Sequence, residues 1–201
     1  MQKILTDVDS VLLSWDDVFR DWMRENGHTR VQTGIYAIHD SSDIVESRAM
    51  AAVEEFNNSE AIGQLPPFRD AVEGVAALNA MGYTFDAITA FGTDPVAIQR
   101  RQANLDRVFG AHVWDQLICT ELTGTKDPEL AAYAGTGYYW IDDMPSNCDV
   151  GVKHGLRVII MDHPHNQWYD NPQVKRASCW QDIVKYIKES SQHDSDSQLS
   201  A

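Results

Sequence analysis

Ile4-Leu5-Thr6-Asp7-Val8-Asp9 is the stretch on which the fold turns: a short apolar run that ends in two acids two residues apart. Read as a strand over residues 4–7, it delivers both carboxylates to the strand's C-terminal end. In an open parallel sheet, ligands bind beyond that end. Residues two apart in an extended chain project to the same side. Two carboxylates so placed repel each other, and the usual remedies are a shared proton or a cation. Alone, Asp-x-Asp reads equally well as a polar strand end or a turn, so the surrounding sequence has to decide.

Outward from this run, short apolar stretches alternate with helical ones, the order expected of an α/β fold with a parallel sheet. Residues 68–81 have helical character and stop at Gly82, which suits a left-handed C-terminal cap. Residues 83–89 read as the second strand. Asp94-Pro95 supplies an N-cap followed by proline at the first helical position, opening a helix to about residue 109. A third strand is expected at 117–119, and Asp127-Pro128 repeats the cap-and-proline signal. A fourth strand covers 138–141, a short helix at 147–154 ends at Gly155, and 157–161 makes a fifth strand. Trp180, Ile183, Val184 and Ile187 share one face of a last amphipathic helix. From Ser190 the sequence SSQHDSDSQLSA has almost nothing to bury, and residues 190–201 are expected to be disordered.

Residues 15–65 break this rhythm. Trp15, Val18, Phe19 and Trp22 follow helical spacing up to Asn26-Gly27. A second helix fits 43–56, with Ile44, Val45, Ala49, Ala52, Val53 and Phe56 on its apolar side, and Pro66-Pro67 closes the segment. Two helices between the first strand and its crossover read as an inserted cap on a core of residues 1–14 and 66–189. The fold expected is therefore α/β, a Rossmann-like parallel sheet with a small helical cap after the first strand.

The 201 residues carry 16 basic and 30 acidic side chains, a formal net charge of −14. A chain of this length suits one α/β domain with one insertion and buries about 70% of the surface its unfolded form exposes. An apolar share of 43% with 23% charged residues excludes a disordered or fibrous chain. The acid excess argues against a general binder of nucleic acid or anionic membranes. A small anionic ligand is still admissible where a bound cation reverses the sign locally. Cys119, Cys148 and Cys179 are odd in number and form no Cys-x-x-Cys pair, so a reducing, cytoplasmic setting is expected. No apolar run approaches the ~20 residues of a membrane-spanning helix, and Asp7 comes too early for a signal peptide's apolar stretch.

A second acidic pair, Asp142-Asp143, follows the fourth strand directly. Two acidic strand ends in one parallel sheet would suit a hard cation such as Mg²⁺, which takes oxygen ligands and commonly binds one or two carboxylates together with a phosphate. The alternative for Asp142-Asp143 is capping of the next helix. Thr89 ends the second strand and Lys126 precedes the Asp127-Pro128 helix start; singly, each is an ordinary turn or surface residue.

In this chain order, the four stretches LTDVDSV (Asp7, Asp9), AITAFG (Thr89, Ala90), TGTKDPEL (Lys126) and WIDDMPSN (Asp142, Asp143) resemble the motifs of the haloacid dehalogenase-like superfamily, whose members are mostly phosphatases. The resemblance runs from Lys3 to about Met161. It includes the approach PPFRDAVEGVAALNAMGY to the second motif and a helical insertion after the first. It implies that Asp7 is a nucleophile forming an aspartyl-phosphate, and that Asp9 protonates the departing oxygen and then activates water. It further implies that Thr89, with Ala90 beside it, binds the transferring phosphoryl group. Lys126 would neutralise Asp7 and the phosphate oxygens. Asp7, Asp142, Asp143 and the main-chain carbonyl of Asp9 would bind Mg²⁺. A haloacid dehalogenase has no need of the second acid, so Asp9 favours a phosphatase.

Met161-Asp162-His163-Pro164-His165-Asn166 resembles the D-R-P-Y-N-R-type segment of 5′(3′)-deoxyribonucleotidases, with His163 where arginine is usual and Gln167 in place of the last arginine. A polar loop with no catalytic part is the alternative for residues 162–167. Trp15, Phe19 and Trp22 are candidates for stacking on a base or for core packing. Ile35, Tyr36 and His39 are candidates to line the pocket, and Arg48 and Arg69 to contact phosphate or ribose. The function expected is Mg²⁺-dependent hydrolysis of a small phosphate ester, in first place a deoxyribonucleoside monophosphate. The alternatives are a sugar phosphate, a polynucleotide end or a non-catalytic binding module. Neither a membrane nor a long nucleic acid is an expected partner.

Overall fold

In the computed structural model, which describes residues 2–28 and 46–199, the acid-tipped run forms β1 (Gln2–Thr6) in the middle of a six-stranded sheet. In chain order there follow α1 (Trp15–Glu25), α2 (Glu46–Asn58), a 3₁₀ turn at Glu60–Gln64, α3 (Ala71–Ala80) and β2 (Tyr83–Ala90). Next come α4 (Pro95–Phe109), β3 (Trp114–Thr120), α5 (Asp127–Ala131), β4 (Tyr139–Asp142) and α6 (Pro145–Lys153). The chain ends in β5 (Arg157–Met161), β6 (Val174–Ala177) and α7 (Trp180–Leu199). All strand pairs are parallel, in the order β3-β2-β1-β4-β5-β6. The order reverses between β1 and β4, the place where open α/β sheets gather ligands.

Alternation along the strands divides the core between the two faces. Ile4, Phe85, Tyr139, Ile141, Ile159 and Met161 face one apolar cluster, while Leu5, Ile88, Trp140, Val158 and Ile160 face the other. The first cluster is continuous with Phe19, Met23, Val53 and Phe56 of α1 and α2, so the helical insertion shares its core with the sheet. On the same face α7 packs against α3. A Cβ on Gly74 would stand 2.5 Å from Trp180 Cβ, so only glycine permits that approach. Asp70 fastens the pair from the other side, its carboxylate accepting from the backbone N–H groups of Trp180 and Gln181.

Several local expectations meet their structures. Asp94 caps α4 by accepting from the N–H groups of Val96 and Ala97, with Pro95 in the first turn. Gly82, at φ +89°, follows α3 with its N–H on the Asn79 carbonyl. Others are revised. Asp127 does not cap α5 with its side chain; it accepts from Lys153 and from His154 instead, and Thr125 Oγ1 takes the Asp127 N–H. β6 was not foreseen, because Val-Lys-Arg-Ala has little apolar signal and earns its strand state by pairing with β5. The last helix runs to Leu199, past Ser190, where the sequence ends it. Ser191 lies 3.0 Å from the Tyr83 hydroxyl, so the start of this polar stretch still has something to hold it. Among the described residues no helix is long and apolar enough to cross a membrane. All three cysteines are unpaired.

Candidate active site

Parallel pairing brings the two acidic strand ends side by side. Thr6 lies opposite Ile141, and the Asp7 N–H donates to the Ile141 carbonyl at 2.8 Å, carrying the pairing one residue past β1. Asp142, the last residue of β4, is thereby the neighbour of Asp7. Lys126, the residue before α5, reaches between them: its Nζ lies 2.8 Å from Asp7 Oδ1 and 2.9 Å from Asp142 Oδ2. The ammonium is buried and also sits 5.1 Å from the Trp140 ring centroid. Asp142 is oriented by two further donors, the Met144 N–H at 2.7 Å and Asn147 Nδ2 at 3.0 Å. The opening of α6 thus holds it in place.

Asp143 approaches from the same loop. It is buried, with Oδ2 3.2 Å from His165 Nε2 and its main-chain carbonyl accepting from Asn166 Nδ2 at 2.8 Å. Asn166 also donates to the Met161 carbonyl and accepts from Arg176. His163 Nε2 lies 2.8 Å from the Ser10 carbonyl, in the turn that follows Asp9. The 162–167 loop, with its 3₁₀ turn at Pro164–Asn166, is therefore built onto both acidic strand ends.

Asp9 stands apart from this group. Its Oδ1 is 2.7 Å from Arg101 Nη1, which comes from α4 and is fully buried. Thr89 is buried near the end of β2, opposite Cys119 of β3, and Ala90 follows it, half-buried. Phe19 is fully buried, stacked on Trp15 at 4.6 Å and edge-on to Phe56. Its ring is packed against protein on both sides, the core-packing role of the two that its helical spacing allowed and not the one of stacking on a substrate base. Trp15 is half-buried, with its indole N–H donated to Asn57 Oδ1. Asn57 in turn donates to the Phe91 carbonyl just past β2. Arg48 and Arg69 are both exposed, and Arg69 lies over the Phe68 ring. Ile35, Tyr36, His39, Ile44 and Val45 lie outside the described residues.

The charges explain what this arrangement can hold. Burial, with Asp142, Asp143 and Asp9 adding repulsion, raises Asp7 well above the usual carboxylate range, and Lys126 opposes the shift. Burial likewise raises Asp142, again against Lys126. Burial alone would lower the Lys126 pKa, but Asp142 and Asp7 outweigh it and hold the ammonium charged. Burial raises Asp9 too, with Arg101 opposing. Carboxylate oxygens of Asp7, Asp142 and Asp143 lie within 4.8 Å of one another. With all three ionised and Lys126 charged, the group carries −3 + 1 = −2, while Asp9 and Arg101 neutralise each other. A compact set of hard oxygen donors with a surplus of two negative charges fits a divalent cation such as Mg²⁺.

The sequence singled out the four motifs but missed Arg101, Asn147 and Asn166. Arg101 left a readable trace: with Ala97, Asn104 and Leu105 it falls on the inward stripe of α4. Asn147 and Asn166 lie inside the quoted stretches WIDDMPSN and MDHPHN, but their partners, Asp142 for one and the Asp143 and Met161 carbonyls for the other, come from the folded arrangement.

No family model matches the sequence. Among curated proteins the chain is 29% identical over 192 residues to an uncharacterised 32.4 kDa protein of Enterobacteria phage T4 from the Gp30-rIII intergenic region. That match covers 90% of this chain and 67% of the relative. A haloacid dehalogenase-like family hydrolase from Streptococcus pneumoniae is similar in structure with a TM-score of 0.65 at 12% identity, covering 93% of this chain and 98% of its own. A predicted phosphatase from Clostridium acetobutylicum gives 0.62 at 13% identity, covering 94% and 98%. The D,D-heptose 1,7-bisphosphate phosphatase of B. bronchiseptica, solved with magnesium and phosphate, gives 0.59 at 11% identity, covering 94% and 99%. The chain has the fold of the haloacid dehalogenase-like hydrolases.

Proposed function

We propose that the protein is a Mg²⁺-dependent phosphomonoesterase acting on a small phosphate ester. The observation that carries this reading is Lys126, buried between Asp7 and Asp142 with Asp143 beside them, a cation-hungry cluster at the switch point of a parallel sheet. Asp7, Asp142, Asp143 and the Asp9 carbonyl would hold Mg²⁺. Bound there, the ion supplies neutralisation of the phosphate oxygens, which dominates phosphoryl transfer.

The chain's own groups do the rest. The Asp7 carboxylate attacks phosphorus; the new O–P bond forms as the ester P–O bond breaks, and the electron pair leaves on the ester oxygen. Asp9 gives that oxygen its proton and then takes one from the water that attacks the aspartyl-phosphate, which frees phosphate and restores Asp7. Lys126 keeps Asp7 oriented and compensates charge on the phosphoryl oxygens. Thr89 and Ala90 bind the phosphoryl group at the end of β2. Residues 15–65 serve as a cap over a core of residues 1–14 and 66–189, with Trp15 at their margin. Three unpaired cysteines are consistent with a reducing, cytoplasmic setting.

A deoxyribonucleoside monophosphate is the substrate favoured by the 162–167 loop, whose sequence resembles that of the deoxyribonucleotidases and which packs on both acidic strand ends. A sugar phosphate is the second reading. It is supported by the likeness to the heptose bisphosphate phosphatase and to the CbbY protein of Rhodobacter sphaeroides, solved with xylulose bisphosphate. The test is phosphate release by the purified protein with Mg²⁺ from nucleoside monophosphates, sugar phosphates and 3′-phosphorylated oligonucleotides in parallel. Highest turnover on a deoxyribonucleoside monophosphate is expected. Preference for a sugar phosphate would move the assignment to the second reading, and no release from any ester would overturn the phosphatase reading.

A further inference from the structure

α4 carries a guanidinium into the protein interior. Arg101 is 0% exposed, its Cζ lies 4.6 Å from the centroid of the Phe91 ring, and its Nη1 lies 2.7 Å from Asp9 Oδ1. A buried charge is strongly unfavourable unless paired, and Asp9 is the carboxylate that pairs it among the described residues. The neighbouring polar side chain on the same stripe is already engaged, since Asn104 donates to the Leu65 carbonyl and accepts from Arg107. Nε and Nη2 find no acceptor among the described residues, while Nη1 meets Asp9 Oδ1 at ion-pair distance. Buried donors left unfilled in this way are uncommon and call for a reason.

The far side of the pair supplies one. Asp9 Oδ1 is shut off from solvent, yet the Asp9 side chain as a whole is 22% exposed. The open portion of the carboxylate is therefore on the Oδ2 side. We infer that Arg101 is a positioning residue for Asp9, drawing Oδ1 against Phe91 and the core so that Oδ2 alone is presented for proton transfer. This rests on the acid–base part proposed for Asp9 above. Stacked on the Phe91 ring and held by no other acceptor among the described residues, the guanidinium can stay paired with Asp9 through the small shifts that accompany giving a proton to the ester oxygen and taking one from water.

The consequence is a dependence on the leaving group, which a merely structural arginine would not produce. kcat/KM reports the step in which Asp7 takes the phosphoryl group and Asp9 protonates the departing oxygen. An alkyl ester needs that proton, whereas 4-nitrophenyl phosphate leaves readily without it. R101M and R101K should be compared with the unsubstituted protein on 4-nitrophenyl phosphate and on the best alkyl ester of the panel above. R101M is expected to lower kcat/KM by ~10²-fold on the alkyl ester and by less than ~5-fold on the aryl ester, with R101K intermediate. In a D9N background, R101M should add less than ~2-fold on either ester, because two residues acting through one group are not additive.

Equal losses on both esters, or an undiminished loss in the D9N background, would overturn the positioning role while leaving the phosphatase reading intact. If R101M does not fold, the ratio of alkyl to aryl losses in R101K decides in the same way. Absence of phosphate release by the unsubstituted protein from both esters would instead overturn the reading beneath it.

Discussion

Two fully or nearly buried aspartates, Asp86 and Asp7, sit on adjacent strands of the same sheet and meet opposite fates. Asp86, within β2, is closed off: Lys3 Nζ reaches both its oxygens at 2.8 and 2.7 Å, and the Tyr133 hydroxyl donates to Oδ2 at 2.7 Å. Gln116 adds a longer contact, and Lys3 also touches Asp115. Burial and the neighbouring Asp86 raise the Tyr133 pKa, so the hydroxyl stays a donor. Asp7, just past the end of β1, shares one ammonium with Asp142 and has Asp143 for company. A buried carboxylate with donors on both oxygens, whose acidic neighbour Asp115 is open to solvent, is part of the framework. One whose surroundings carry a surplus of like charge awaits something from outside. The difference lies in position along the strand, because only the strand end can gather acids from several loops.

Breaking the open cluster should abolish chemistry without harming the fold. D7N is expected to reduce phosphate release by ~10³-fold or more. Its thermal midpoint should equal or exceed that of the unsubstituted protein. The folded-state pKa of Asp7 lies above the unfolded value, so keeping it ionised costs stability at pH above the folded pKa, and asparagine removes that cost. Asp142 still pairs Lys126 in this variant. A clear drop in midpoint by circular dichroism would contradict the surplus-charge picture.

Removing the cation tests the same surplus from the other direction. EDTA should bring phosphate release to background, with recovery on adding Mg²⁺. Mg²⁺ at about 100 times its Kd should stabilise the protein by about 2.7 kcal/mol in a thermal scan. D7N, with one negative charge fewer in the cluster, should respond less.

Breaking the closed network should do the reverse. D86A leaves Lys3 and Tyr133 facing a lost acceptor, and a loss of about 2 kcal/mol is expected in urea unfolding, with kcat of the folded protein unchanged. The smallest effect sharpens the scale: D94A removes the α4 cap and should cost about 1 kcal/mol, again with unchanged kcat.

The sequence made one half of this comparison readable. Asp7, Asp142 and Asp143 come where apolar runs stop abruptly, and Lys126 directly precedes the Asp127-Pro128 helix start, so each stands at the end of an element. Asp86 passed unnoticed inside an apolar strand, because nothing local says which distant lysine and tyrosine will close around it. Arg101, beside Arg100, reads as surface charge until the helix stripe is traced through Ala97 and Leu105. Phe19 and Trp15 share a helical spacing that fits either a pocket or a core, and only the arrival of Phe56 from α2 decides for Phe19. β6 lacked the apolar alternation that reveals a strand, since its state comes from its neighbour.

The central place of β1 has a consequence in the order of assembly. Ile4 pairs with Tyr139 and Thr6 with Ile141, so the strand made first waits for one made far later before its second edge is filled. Contacts so distant along the chain are slow to form. Asp7 meets Asp142 only once that edge closes, and a fragment that stops short of β4 would carry Asp7 and Lys126 without Asp142 and Asp143. The site comes into being when β4 joins β1, the step that unites the two halves of the sheet.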